Sequence, residues 1–132
     1  MDKHINISLK PFMRNLIEGI LEIYPQITIS NRYDNELDND YPLITFHERI
    51  SYPKSSFKMK RLEISKHTYV ISIFSQDDDE LALITQSLIT LLLNENIHVS
   101  DTFDDEPLST TTIKNSTIIC SITYDYLNNK RI

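Results

Sequence analysis

The chain has 132 residues, of which 40% are hydrophobic and 24% are charged, and its formal net charge is −6. These values are typical of one soluble globular domain, and the acidic balance disfavours a DNA-wrapping protein, whose affinity comes from basic side chains on phosphates. A single glycine in the sequence argues against the glycine-rich loops of the common nucleotide-binding folds.

Neither the first residues nor the longest apolar stretch indicates export or a membrane span. MDKHINISLK lacks the apolar core of a signal peptide. LALITQSLITLLL is interrupted by polar residues and is too short to cross a bilayer. We therefore expect synthesis inside the cell and no membrane partner. The single cysteine, Cys120, lies in an apolar run and is expected to be a small buried side chain.

Two amphipathic helices are predicted. The first spans 11–24, where Pro11 suits the first turn and apolar residues recur at helical spacing. Gly19 should weaken this helix by about 1 kcal/mol relative to alanine. The second spans 78–94. Its central apolar seam is formed by Leu81, Ile84, Leu88 and Leu92.

Five strands are predicted from alternating apolar residues and from the turn-forming residues between them. They span approximately 26–30, 41–50, 62–74, 97–103 and 113–124. The third strand places His67, Tyr69, Ile71 and Ile73 on one face. The element order predicts an α+β fold, a mainly antiparallel sheet with two helices packed on one face. We expect one domain over 1–132, with a flexible C-terminal tail over 125–132.

The acidic run Asp77-Asp78-Asp79-Glu80 has the pattern of a helix start. An aspartate followed three residues later by a glutamate is typical of a capping box, and acids in the first turn favour the positive end of the helix dipole. Consecutive residues fan out around a helix, so four adjacent acids do not converge on one cation. A calcium loop would also need a glycine and oxygen ligands at alternating positions.

The remaining titratable residues form no recognised catalytic or metal-binding pattern. One alternative places His47 and His67 opposite each other on neighbouring strands, an arrangement that is more often structural than metal-binding. Glu48 and Glu63 are a conceivable carboxylate pair, but the sequence shows no nucleophile or pocket beside them. We therefore predict no catalytic, metal-binding or cofactor-binding residues, and a protein that is not an enzyme.

The most informative feature is the separation of charge along the chain. Between positions 49 and 66, six basic residues are opposed by Glu63 alone: Arg49, Lys54, Lys58, Lys60, Arg61 and Lys66. From His67 to Ile113 there are no basic residues and nine acids: Asp77, Asp78, Asp79, Glu80, Glu95, Asp101, Asp104, Asp105 and Glu106. Both groups could simply be solvated surface. Alternatively, a subunit with opposite charges on two sides suits head-to-tail contacts between identical copies.

The first predicted element is an N-terminal helix. After it come the strand YPLITFHERI, the basic loop, the strand KHTYVISIFSQ, the acid-capped helix and the closing β-pair. This order resembles the tail-terminator, or tail-completion, proteins of long-tailed bacteriophages. The resemblance covers nearly the whole chain. It concerns the order of the elements, the size of the chain and the general character of its residues, and it contains no diagnostic motif.

The resemblance implies a structural virion protein that assembles with itself into a hexameric ring. Such a ring caps the tail tube and joins it to the head connector, so the implied partners are the tail-tube protein and the head connector protein. DNA would pass through the lumen without specific binding, and the subunit would be assembled into the virion tail in the host cytoplasm. Alternatives are a head–tail connector adaptor, a tail-tube subunit or, less favoured, a small metal-dependent nuclease.

The positions expected for the charged residues within such a ring are inferred from their charge alone. The basic group is expected at a docking or oligomer contact: Arg49, Lys54, Lys58, Lys60 and Arg61. The acidic group is expected to face the lumen or a neighbouring subunit: Asp77, Asp78, Asp79, Asp101, Asp104 and Asp105.

Overall fold

The computed structural model describes residues 9–30, 40–51, 64–105, 113–125 and 130–131. Their elements are, in chain order, α1 (Lys10–Glu18), a 3₁₀ turn (Gly19–Glu22), β1 (Thr28–Ser30), β2 (Leu43–Ser51), β3 (Ile64–Ser75), α2 (Asp78–Asn94), β4 (His98–Asp105), β5 (Lys114–Asp125) and β6 (Lys130–Arg131). The predicted α+β class is confirmed, since a mostly antiparallel sheet is combined with two helices.

The sheet has the strand order β1-β2-β3-β5-β4, and the two-residue strand β6 also pairs with β5. β1 is parallel to β2, and every other pairing is antiparallel. β3 and β5 pair along their full length, from Ile64 opposite Asp125 to Ser75 opposite Lys114. These two central strands therefore define the long axis of the sheet.

The first helix is shorter than its sequence pattern predicts. It begins at Lys10 with Pro11 in the first turn, and its α geometry gives way to a 3₁₀ turn at Gly19. Glycine is the residue other than proline that least favours a helix interior, which explains where the change occurs. Met13, Ile17 and Ile20 are nevertheless fully buried, so the apolar stripe continues through the change of geometry.

The main core lies between the two helices and one face of the sheet. Residues Tyr69, Ile71 and Ile73 of β3 are fully buried in the same cluster as α1 and α2. The predicted seam of α2 is confirmed, because its buried residues are Leu81, Ile84, Leu88 and Leu92. Cys120 is also fully buried there, and burial raises the pKa of its thiol to about 12.

The opposite face of the sheet, here called the open face, carries a smaller apolar cluster of Leu43, Phe74 and Ile113. The predicted tail is described at Asp125 and at Lys130–Arg131, where β6 places Arg131 opposite Tyr124. Within the described ranges, neither helix has the length and apolar character needed to cross a membrane.

Candidate functional site

The start of α2 and the end of β4 lie at the same end of the sheet, here called the acidic end. Ser75, two residues before Asp77, pairs with Lys114 of β5, and Asp104 pairs with the nearby Ser116. The exposed acids Asp77, Asp78, Asp79 and Asp104 are therefore brought to one end by the fold. Lys114 Nζ opposes them at 3.4 Å from Asp78 Oδ2, although the Asp78 side chain remains 73% exposed.

The remaining two predicted acids are placed differently. Asp101 is exposed but lies opposite Ile119, which in turn pairs with Val70 in the middle of β3. The backbone of Asp105 pairs with Asn115 at the acidic end, and its side chain lies outside the described part of the chain. The fold therefore joins the α2 acids to Asp104 more closely than to Asp101.

The helix-start interpretation of the acidic run is confirmed, with one difference in the hydrogen bonds. Asp77 is the N-cap of α2, and its carboxylate accepts from the backbone N–H of Asp79 at 3.3 Å. Glu80 does not close the capping box directly. Instead the Ser75 hydroxyl donates to Glu80 Oε1 at 2.8 Å and accepts from the Asp77 N–H at 3.1 Å. Ser75 is fully buried, and these two hydrogen bonds connect the last residue of β3 to the first turn of α2.

The opposite end of the sheet, here called the basic end, carries exposed cations from three strands. Arg49 of β2 pairs with Thr68, Lys66 of β3 pairs with Thr123, and Arg131 lies on β6. Arg131 is partly neutralised, because its guanidinium donates to the Glu95 carbonyl at 2.7 Å and lies 3.9 Å from the Glu95 carboxylate. The predicted docking residues Lys54, Lys58, Lys60 and Arg61 lie outside the described residues.

Strand geometry sets the distance between the two ends. Lys66 and Ser75 are nine positions apart on β3, which corresponds to roughly 30 Å along an extended strand. This distance exceeds the screening length of about 8 Å at physiological ionic strength, so the charges at one end have little electrostatic effect on those at the other. Among the described residues, Arg49 and Lys66 therefore lie at one end and the acids of α2 and Asp104 at the other, whereas Glu95 of the acidic segment lies at the basic end.

A second cluster of polar side chains lies inside the molecule, on the helix side of the sheet. Glu48 Oε2 accepts hydrogen bonds from the Leu9 N–H at 3.1 Å and from the Tyr69 hydroxyl at 2.5 Å. His67 Nδ1 lies 3.3 Å from the same oxygen, and His67 Nε2 lies 2.9 Å from Ser65 Oγ. The cluster thus connects the start of α1 to β2 and β3.

The order of these groups is hydroxyl, imidazole, carboxylate, as in the nucleophile, base and orienting acid of hydrolytic triads. Because a carboxylate can only accept, His67 Nδ1 carries the proton, and Nε2 accepts from Ser65. Ser65, His67 and Tyr69 are all fully buried, however. A nucleophile must reach its substrate, so this cluster in its folded state is an internal hydrogen-bond chain.

Burial also sets the charge state of the imidazole. Desolvation lowers the pKa of His67 from its usual value of 6.5, while the hydrogen bond and charge of Glu48 act in the opposite direction. The net effect favours a neutral imidazole at physiological pH, which fits its role as donor to Glu48 and acceptor from Ser65.

Two of the sequence hypotheses need correction or fall outside the structure. The idea that His47 and His67 face each other is wrong, since His47 pairs with Val70 on the open face and His67 pairs with Ile50 on the helix side. Glu63, the suggested partner of Glu48, lies outside the described residues. Sequence reasoning placed His67 and Tyr69 on one strand face but missed that Ser65 belongs to the same alternation, Ser65-x-His67-x-Tyr69. In the part of the chain that the structure describes, no three His, Cys, Asp or Glu side chains are grouped as metal ligands.

A scan against protein-family models finds no match, and a search of curated proteins finds no similar sequence.

Proposed function

We propose that this chain is a tail-terminator, or tail-completion, subunit of a long-tailed bacteriophage, which assembles into a closed homo-oligomeric ring on the end of the tail tube. The observation that carries the proposal is that exposed cations lie at one end of the sheet and exposed acids at the other, roughly 30 Å apart. Each end is partly offset, the basic end by Glu95 and Asp125 and the acidic end by Lys114. A subunit of this kind can offer its acidic end to the basic end of the next copy. Heterologous contacts close into a ring when the rotation between copies permits.

The edge strand β4 argues against one alternative, a two-fold contact in which the β4 edges of two copies pair with each other. Asp101 and Asp104 are exposed on β4, which pairs with β5 and is the last strand of the sheet among the described residues. Two copies paired edge to edge through β4 would bring these acids together, and charged edge strands generally oppose such pairing. A contact between different surfaces of two copies avoids that repulsion.

The element order supports the same proposal, since the fold combines an N-terminal helix, a basic β2–β3 region, an acid-capped α2 and a closing β-pair. In a terminator ring the subunit acts by docking and catalyses no reaction, which agrees with the burial of Ser65 and His67. The partners would be further copies of the chain, the tail-tube protein and the head connector protein. The net charge of −6 per subunit would let DNA pass through the lumen without adhering.

Electron microscopy and mass measurement of the purified protein test the proposal. A terminator should give one closed ring, six-fold in the expected case, and the ring should bind the ends of isolated tail tubes and stop their growth. Filaments of unlimited length would favour a tail-tube subunit instead. Rings that bind the head connector and leave tail tubes uncapped would favour a connector adaptor, and monomers at every concentration would contradict all three.

A Mg²⁺- or Mn²⁺-dependent nuclease is the remaining alternative, and it is tested separately. DNA cleavage by the purified protein with either ion, abolished by Asp79→Ala, would overturn the structural role.

A further inference from the structure

A groove of about 650 Å³ opens at the basic end, where β4 and β6 leave a gap along the edge of β5. β4 begins its pairing at Ser121, and β6 pairs with Tyr124 and Asp125, so Ile122 and Thr123 lie between the two strands. The gap is therefore a direct consequence of the strand register. The remaining lining residues are Lys66, Asn96, His98 and Arg131.

Most of the described lining residues carry hydrogen-bond donors, and none of those described is acidic. Lys66 and Arg131 are cationic, His98 and Asn96 are exposed, and Ser121 and Thr123 supply hydroxyl groups. Glu95, which pairs with Arg131, offsets part of the positive charge from outside the lining. The groove therefore suits an anionic group, such as a carboxylate or a phosphate, more than a cation or an apolar side chain.

The chain itself offers a complementary group at its other end. Asp78 and Asp79 lie on the first turn of α2, are exposed, and are not the residue that caps the helix. They cannot reach the groove of their own subunit, since the two lie at opposite ends of the sheet. We infer that the groove receives the Asp78–Asp79 turn of a second copy of this chain. This inference rests on the proposed ring and names its subunit contact.

The experiment compares one groove variant with a matched control. Lys66→Glu with His98→Glu lowers the formal charge by three at neutral pH, two from lysine and one from histidine, and leaves the contacts of Arg131 intact. The control, Arg14→Glu with Asn15→Glu, makes the same change on α1, where Asn15 is exposed and Arg14 is partly exposed and pairs with Glu18. Circular dichroism checks that the control variant remains folded. Like charges facing across a contact are strongly unfavourable, so the groove variant should weaken self-association by more than about tenfold while the control leaves it unchanged.

The reciprocal variant is Asp78→Lys with Asp79→Lys, which should also prevent self-association. Mixing the two defective proteins then gives the sharpest test. The groove variant keeps its acidic turn and the turn variant keeps its groove, while the two altered surfaces have become complementary. The mixture should form rings in which the two variants alternate, and these rings must contain an even number of subunits. Native mass spectrometry counts both variants in each ring.

The outcomes separate this inference from the proposed function. If the wild type forms rings that bind tail tubes and both charge-reversed variants do the same, the groove contact is wrong and the ring stands. If the wild type is monomeric, the proposed function fails as well. Defective variants that do not restore each other in the mixture would overturn the pairing of groove and turn. Loss of DNA binding in the groove variant, with rings intact, would assign the groove to phosphates instead.

Discussion

Glu48 and Tyr69 lie directly opposite each other on β2 and β3, and the Tyr69 hydroxyl donates to Glu48 Oε2 at 2.5 Å. The same oxygen accepts from the Leu9 N–H, just before α1 begins. One carboxylate therefore fixes the start of the N-terminal helix to the two strands beneath it. Because this group is largely withdrawn from water, its hydrogen bonds contribute more than surface contacts do.

Removing the phenol tests this connection. Tyr69→Phe should lower the free energy of unfolding by about 1.5–3 kcal/mol, because the lost hydrogen bond involves a charged acceptor. Urea denaturation followed by circular dichroism measures the change. Tyr24→Phe, at a partly buried position on the other side of the 3₁₀ turn, is the control and should change stability by less than about 0.5 kcal/mol. Equal effects of the two substitutions would mean that the hydrogen bond from Tyr69 to Glu48 makes no specific contribution to the free energy of unfolding.

His67 should make stability depend on pH. Its folded-state pKa is lowered below 6.5 by burial, so the unfolded chain binds more protons than the folded chain as the pH falls below neutral. The contribution of the neutral imidazole is thus fully present above pH 6.5 and is lost progressively as the pH falls from there through the folded-state pKa. Urea midpoints between about pH 5 and pH 8 should show this decline in the wild type.

The variants assign that decline to one imidazole. His67→Gln should flatten the decline in stability below pH 6.5, whatever its cost in absolute stability. His47→Gln removes an exposed imidazole from the neighbouring strand and should leave the slope as it is. An unchanged slope in the His67 variant would contradict the assignment.

The start of α2 should depend on Ser75 more than on its N-cap. Ser75→Ala removes, from a fully buried position, the hydroxyl that accepts from the Asp77 N–H and donates to Glu80, and should cost about 1–2 kcal/mol in unfolding free energy. Asp77→Asn keeps a capping oxygen and should be nearly neutral. Thermal and urea denaturation of both variants rank the two positions, and a larger loss for Asp77→Asn would reverse the argument.

The seam of α2 gives a matched pair of leucines on one helix. Leu88 is 1% exposed and Leu83 is 53% exposed. Leu88→Ala should lower the unfolding free energy by about 2–5 kcal/mol through lost burial and the cavity that remains. Leu83→Ala should change it by less than about 0.5 kcal/mol. Similar losses for both would show that α2 is packed differently.

Gly19 offers a substitution in the stabilising direction. Its backbone is in the right-handed helical region, with φ −61° and ψ −22°, and a Cβ added there would meet no atom within 4 Å. Gly19→Ala should therefore raise the unfolding free energy by about 0.4–1 kcal/mol, chiefly by restricting the unfolded chain. The urea midpoint measures this, and a lower midpoint would mean that the 3₁₀ turn requires glycine for a reason other than space.

Most helices and strands were predicted from the sequence because the periodicity of apolar residues depends on positions close together in the chain. The seam of Leu81, Ile84, Leu88 and Leu92 follows directly from helical periodicity, and α2 has the bounds expected from its acidic start. The alternation along β3 likewise predicted that His67, Tyr69, Ile71 and Ile73 share one face, and the structure buries all four. The sequence predicted only that Gly19 would destabilise the first helix, and it did not predict the change to a 3₁₀ turn there. Helix propensity gives the energetic cost of a residue in a helix, but it does not give the position where the helix ends.

What the sequence determined by itself is therefore the two helices, the five strands β1 to β5, the buried seam of α2 and the separation of basic from acidic residues along the chain. The tertiary structure decided which strands are neighbours. Register set Glu48 opposite Tyr69, moved His47 and His67 to opposite faces, and brought Asp104 to the α2 acids. The physical reason is that periodicity depends on residues a few positions apart, whereas strand pairing depends on the whole sheet, and a one-residue slip would turn every side chain to the other face.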